Sequence, residues 1–372
     1  VAVLAFIAVR HAVPLSYLVM DLVEYRHPLR FAGASGGVNY RRAGSGCGWC
    51  LLVWVLPSAG RGEPAGRYGR VWCAVVAAGG GGRVAAGADA QITELAVDDH
   101  ACLTFGEEEE LLDLTAAFVR DGLAAGLRVV WLSDAAPQQA AGELERRGIQ
   151  AKQALERGQL AATGSEGLLT GQAFRADAAV GWLARQVESS RQAGFPGLRV
   201  AVDMGWALRP VSGVEELPRF EEGITGMLGG GTASVLCQYD RGRFDPVTLA
   251  SVAQFHTRSV AAATYYADAV LRICRQYAPP GIRIAGEIDY HAEEPLALAL
   301  AEAVRLDGDV TLNMAALAFA DAPCTAMIAD AVRTMAASRA VVLQCRPAVA
   351  ARLARLGVAG LARVRLVSAS DG

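Results

Sequence analysis

A chain of 372 residues, 53% of them hydrophobic, is long enough for two ordinary domains with real cores. A formal net charge of −3 gives no global basic signature for unaided binding to phosphate backbones, and no uncharged apolar run of about 18 residues offers a transmembrane helix. The eight cysteines are spread without a framework spacing, which fits a reducing, cytoplasmic setting better than a disulfide-stapled module.

Residues 1–90 hold nine arginines against four acidic residues, which leaves 26 basic and 34 acidic residues for the remainder. This first stretch has no sustained period of 2 or 3.6 and is punctuated by GASGG, GSGCGWC and GGGG. It is expected to be a disordered extension or an over-extended gene start. The pair Cys47 and Cys50 has zinc or redox spacing, but no second CxxC or His pair accompanies it, so no metal is expected there. Lys152 is the only lysine among 35 basic residues, a coding bias that makes arginine richness uninformative.

From residue 91 the texture changes. HACLTF reads as a buried strand beginning at His100, GEEEELLDLTAAFVRDGLAAG as an amphipathic helix, and LRVVWLSD as a second strand ending at Asp134. AAPQQAAGELERRGI is a helix, QLAAT a short strand, FRADAAVGWLARQVESSRQAG a long helix, and LRVAVDMGWAL an apolar strand ending at Asp203. VEELPRFEEGITGML is a helix, ASVLCQYD a strand ending in Tyr239 and Asp240, and LASVAQFHTRSV a last helix with His256 midway and without an identifiable partner. Continuously apolar strands alternating with helices predict a parallel sheet covered on both faces.

Ligands in such sheets sit beyond the carboxyl ends of the strands, which makes Asp203, Tyr239 and Asp240 candidate ligand-binding residues. Only Gly106 separates HACLTF from its helix, and no G-x-x-x-x-G-K-[ST] occurs anywhere. Glu107, Glu108, Glu109 and Glu110 put negative charge where a helix N-terminus would otherwise hold phosphate. ATP hydrolysis is therefore not expected.

The segment DDHACLTFGEEEELLDLTAAFVRDGLAAGLRVVWLSD, with DMGWALRP and LCQYDRGRFDP downstream, resembles the MEDS domain, the sensory domain of methanogen and methylotroph regulators. The resemblance covers about 95–265. It implies a RecA-like α/β fold lacking the phosphate loop, a small-molecule sensing role, and His100 and Cys102 as the functional pair of the first strand. Residues two apart on a strand share a face, so these two can converge on one ligand. They can equally be core residues, and two groups alone do not make a zinc site, so no metal or other cofactor is expected. Trp206 is expected in the core.

Tyr277-Ala-Pro-Pro-Gly281 breaks the chain and is taken as the end of a linker over 266–280. After it, GIRIAGEID, DVTLNM, RAVVLQC and ARVRLVS read as strands, with helices EEPLALALAEAVRL, PCTAMIADAVRTMAAS and PAVAARLARLGVAG between them. Gly286-Glu287-Ile288-Asp289, DVTLNMAALAFAD and the helix near Pro323 resemble a STAS domain, the fold of anti-sigma-factor antagonists. In that family a phosphorylatable Ser follows the last Asp. Here Ala322 follows Asp321, so the phosphoacceptor-equivalent position has no hydroxyl, and Thr325 lies three residues further on.

The expectation is therefore a non-enzymatic, cytoplasmic signalling protein. A MEDS-like sensory domain over 91–265 is joined to a degenerate STAS-like α/β domain over 281–372 that contacts a protein partner such as an anti-sigma factor or kinase, with no direct nucleic-acid or membrane contact. The competing classes are a RecA-like nucleotide-binding enzyme and a purely structural adaptor.

Overall fold

A computed structural model describes residues 88–368 apart from 134 and 172. The CxxC pair, Asp134 and residues 1–87 thus lie outside the described residues. The described residues belong to one compact unit built on two large sheets.

The first sheet is assembled from β1 (Ala88–Ala90), β2 (His100–Phe105), β3 (Arg128–Leu132), β4 (Leu160–Thr163), β7 (Leu198–Asp203), β8 (Ala233–Asp240) and β9 (Arg258–Val260). A two-stranded hairpin of β5 (Leu169–Thr170) and β6 (Ala173–Phe174) lies off it. The spatial order is β1-β9-β2-β8-β7-β3-β4, with every neighbouring pair parallel. The most apolar strands, β2, β7 and β8, take the centre, because both their faces are buried. Short β1 takes one edge, where few backbone groups remain unpaired.

Helices α1 (Glu108–Ala124), α2 (Pro137–Arg146) and α3 (Ala151–Glu156) cover one face, where Ala101, Leu103, Phe118, Val129 and Trp131 pack together. Helices α4 (Ala176–Gln192), α5 (Leu217–Met227) and α6 (Pro246–Ala253) accompany the other face, whose core includes Cys102, Val200, Phe220, Cys237 and Tyr239. Trp206 is in that core, stacked on Phe174 at 4.5 Å.

The second sheet holds β10 (Thr264–Ala267), β11 (Leu271–Tyr277), β12 (Pro280–Ile288), β13 (Val310–Met314), β15 (Val341–Cys345) and β16 (Val364–Ser368) in that order, with β14 (Leu317–Ala320) on β12. Its β10–β11–β12 edge is antiparallel and the rest parallel. Helices α7 (Glu293–Leu306), α8 (Ala322–Thr334) and α9 (Pro347–Arg355) share a core with one face, with Ile284, Leu300, Leu312, Ile328 and Leu343 among its fully buried residues.

Several elements differ from expectation. Residues 88–90, assigned to the extension, form the edge strand β1. The helix over LASVAQFHTRSV stops at Ala253; His256 lies beyond its end, and Arg258–Val260 joins the sheet beside β2. The β-branched Thr257 is what ties this turn down: its amide donates to the His100 carbonyl at 2.7 Å, and its hydroxyl accepts from the His100 amide at 3.1 Å.

The expected linker over 266–280 is instead a strand and a tight hairpin. Tyr277 pairs with Pro280 across Ala278 and Pro279, so the proline pair turns the chain back into β12 without releasing it. The connection between the sheets is Ala261, Ala262 and Ala263, and even there the Arg275 amide donates to the Ala263 carbonyl at 2.7 Å.

Helix α1 lies between the two sheets, and three of the four glutamates acquire their role there. Arg272 on β11 grips Glu110 with two hydrogen bonds of 2.9 and 2.7 Å, Arg283 on β12 pairs with Glu107, and the Asn313 amide donates to Glu109 at 3.2 Å. One turn on, buried Asp113 accepts from the amides of Tyr277 and Ala278. The acidic first turn that disfavours phosphate is thus occupied by side chains of the second sheet.

Candidate functional site

His100 opens β2 fully buried, on the face covered by α5. Its Nε2 lies 3.1 Å from Glu221 Oε2, on a carboxylate that is itself 0% exposed. Helix α5 buries Leu217, Phe220, Glu221 and Ile224, an i, i+3, i+4, i+7 stripe in which Glu221 fills an apolar position. Three more groups converge on it. His256 Nε2 is 3.4 Å from Glu221 Oε2, Cys237 Sγ is 3.5 Å from the same oxygen, and the Tyr239 hydroxyl donates to Oε1. The two imidazoles face each other with centroids 4.1 Å apart.

The remaining hydrogen bonds fix the tautomers. Thr225 has one hydroxyl hydrogen, with the carbonyls of Phe255 at 2.8 Å and Glu221 at 3.2 Å to receive it, so Thr225 Oγ1 accepts from His100 Nδ1 at 2.9 Å. His256 Nδ1 is 2.9 Å from the Val252 carbonyl, which can only accept. Each ring therefore carries a hydrogen on Nδ1. Both Nε2 atoms point toward the carboxylate, and that of His256 makes no hydrogen bond.

The electrostatics follow from burial. Desolvation alone would push the Glu221 carboxyl up, but His256, His100 and the Tyr239 hydroxyl outweigh it and hold the group below the usual carboxylate range. Burial drives His256 down to about 4. Burial and then the Glu221 charge push the Cys102 thiol up to about 12, and Cys237 and Tyr239 are raised well above their ordinary values for the same reasons. As free thiols Cys102 and Cys237 are thus poor nucleophiles.

Among the described residues, His100, Glu221, Cys237 and His256 form a set whose donor atoms all lie within 4.8 Å of one another, every residue buried. That donor set could hold a metal ion, where the sequence offered only two groups on one strand, and it corrects one expectation, that His256 lacks a partner. The partners come from α5, from β8 and from the turn after α6, which sequence spacing alone does not bring together.

The other candidates divide. Tyr239 joins the cluster through Glu221, while Cys102 sits on the same face in register with Cys237. Asp203 and Asp240 end their strands and accept from the amides of Gly205 and Gly242, each at 2.8 Å, so both cap the turn that follows. An open cleft of about 740 Å³ lies elsewhere, lined by Glu107, Arg241, Thr264, Asp268 and Arg272 where the two sheets meet. Ala322 is the exposed first residue of α8, and Asp321 caps that helix by accepting from the Cys324 amide at 2.8 Å. Thr325 is buried with its hydroxyl donated to the Asp321 carbonyl, so it does not reach the surface at that position. Among the described residues no helix is long and apolar enough to cross a membrane.

Two solved structures are similar at low level. The KaiC-like protein PH0186 from Pyrococcus horikoshii OT3 is 12% identical with a TM-score of 0.36, over 49% of this chain and 79% of that one. The flagellar accessory protein FlaH from Methanocaldococcus jannaschii is also 12% identical with a TM-score of 0.36, over 52% of this chain and 92% of its own. No curated protein matches the sequence. Residues 99–257 match the family model of MEDS, the methanogen/methylotroph DcmR sensory domain, a span that contains all four donor residues of the buried cluster.

Proposed function

We propose that this chain is a non-enzymatic signalling protein. Its first sheet senses a small molecule or a redox change at the cluster around Glu221, and its second, STAS-like sheet docks a protein partner of the anti-sigma-factor or kinase kind. The observation that carries the reading is the cluster itself, inside the span that matches a sensory family. A wholly buried carboxylate facing two imidazoles costs stability relative to well-packed apolar side chains, so packing alone does not account for it. Against nucleotide chemistry stand the two-residue connection of Gly106 and Glu107 between β2 and α1 and the occupation of α1's first turn by Arg272 and Arg283.

Helix α1 supplies the physical link between sensing and docking. It follows β2 directly and is held at its acidic end by β11 and β12. A signal can shift the docking sheet only by favouring one of two arrangements across that helix. With Ala322 where the family places a phosphorylatable serine, control would come from the cluster and not from phosphorylation at that position.

The test is native mass spectrometry of the full chain from its own cells, paired with hydrogen exchange of wild type, His100→Ala and Cys102→Ala. A bound small molecule or stoichiometric partner is expected, with altered exchange in β11, β12 and α8 in the variants. An empty, partnerless monomer whose second sheet is indifferent to both substitutions would refute the reading. ATP turnover abolished by substitutions around Gly106 would replace it with the enzymatic one.

A further inference from the structure

We infer that His100 Nε2, His256 Nε2, Glu221 Oε2 and Cys237 Sγ together bind one divalent transition-metal ion, of which Zn²⁺ fits best. The inference deepens the sensory reading and rests on it only for the ion's purpose; the binding stands on geometry.

Three observations carry it. The spacing approaches that of a coordination shell: four of the six donor separations are 3.1 Å from His100 to Glu221, 3.4 Å from His256 to Glu221, and 3.5 Å from Cys237 to each of His100 and Glu221, and all lie within 4.8 Å. Ligand bonds of about 2.0–2.1 Å to nitrogen or oxygen and about 2.3 Å to sulfur, in a tetrahedron, give donor separations of roughly 3.3–3.6 Å. The outer partners are those of metal-bound histidines, since each Nδ1–H donates to an oxygen, Thr225 Oγ1 or the Val252 carbonyl, and so turns Nε2 inward. Finally, His256 Nε2 is buried without a hydrogen bond, and it points at a carboxylate that offers no hydrogen to a lone pair.

Charge completes the argument. A divalent ion with the Glu221 carboxylate and a Cys237 thiolate makes a neutral group, the form a wholly buried site tolerates. Uptake converts the Cys237 thiol to a metal-bound thiolate and releases its proton to solvent, so affinity rises with pH. Two imidazoles, one thiolate and one carboxylate at tetrahedral spacing suit Zn²⁺, and Co²⁺ is its spectroscopic substitute.

The experiment titrates Co²⁺ into the full-length, chelator-stripped chain under reducing conditions. One equivalent is expected to bind with intense visible bands of a tetrahedral centre and a thiolate-to-cobalt charge-transfer band in the near ultraviolet, both bleached by Zn²⁺. Cys237→Ser should lose the charge-transfer band, Cys102→Ser should keep it, and Thr225→Val should weaken binding about 10-fold or more through the misoriented His100 ring. The wild-type spectrum alone tests the binding, so a variant that fails to fold does not shield the claim. No saturable Co²⁺ binding, a weak octahedral spectrum, or a charge-transfer band that survives in folded Cys237→Ser overturns it and leaves a buried histidine–glutamate ion pair. Metal bound as expected while β11, β12 and α8 exchange identically with and without it would retain the site and sink its sensory purpose.

Discussion

The contact between the two sheets is most directly tested at Arg272. Glu110 is 1% exposed and receives two hydrogen bonds from Arg272, one of 3.0 Å from the Gly106 amide and a longer one of 3.5 Å from Arg241. Arg272→Ala removes both arms of this bidentate partner and leaves the carboxylate anionic inside the fold. Breaking a buried pair from one side costs about 3–5 kcal/mol; Gly106 and Arg241 remain, so the low end, about 3 kcal/mol, applies. Urea unfolding of wild type, Arg272→Ala, Glu110→Gln and the double variant forms a cycle whose coupling should reach about 1.5–3 kcal/mol. The pair Arg272→Met with Glu110→Leu should regain most of the loss, because two apolar groups leave no buried charge behind. Additivity within about 0.5 kcal/mol would show that the two side chains act independently and would refute the clamp.

The other expectations probe individual residues. Burial lifts the Asp113 carboxyl from 3.8 to about 7 despite the amide hydrogen bonds that oppose it. A carboxyl raised on folding adds stability that is complete below its unfolded value and lost as pH rises through the folded one. Unfolding free energy should therefore fall between about pH 4 and 7, by roughly 4 kcal/mol at most, and Asp113→Asn should flatten that slope. Gly286 has φ 103° and leaves only 1.8 Å between an added Cβ and the Val270 carbonyl, so Gly286→Ala should cost about 3 kcal/mol or more in thermal unfolding, where a wild-type melting temperature would disprove the close approach. Asp203→Ala should cost at least about 1 kcal/mol, the worth of its cap, and leave Co²⁺ binding unchanged; a lost cobalt spectrum would tie Asp203 to the cluster after all.

Periodicity made most of the elements readable, because β2, β7 and β8 are apolar on both faces and their helices carry regular stripes. It failed where local chemistry has two meanings. The sequence Tyr277-Ala-Pro-Pro looks like a break, yet a proline pair serves equally as a hairpin turn between antiparallel strands, and LRICRQY does not alternate plainly because β11 packs a core on one face and α1 on the other. GEEEE was legible as hostile to phosphate, but Arg272 and Arg283, the second-sheet arginines that use it, lie more than 160 positions away, and no local signal reports such a pairing. Glu221 is different, because a signal was present: in VEELPRFEEGITGML the buried stripe of Leu217, Phe220 and Ile224 runs through Glu221, and a charge on the apolar face of a helix must find a partner in the core. Pursuing that conflict leads from α5 to buried polar residues facing it, and so to His100 and Cys237 on the central strands. His256 would still have escaped, since its place depends on α6 ending at Ala253 and on the turn that Thr257 pins to β2. A polar residue that violates the pattern of its own element is therefore a sharper pointer to the centre of this domain than acids at strand ends, which the turns themselves explain.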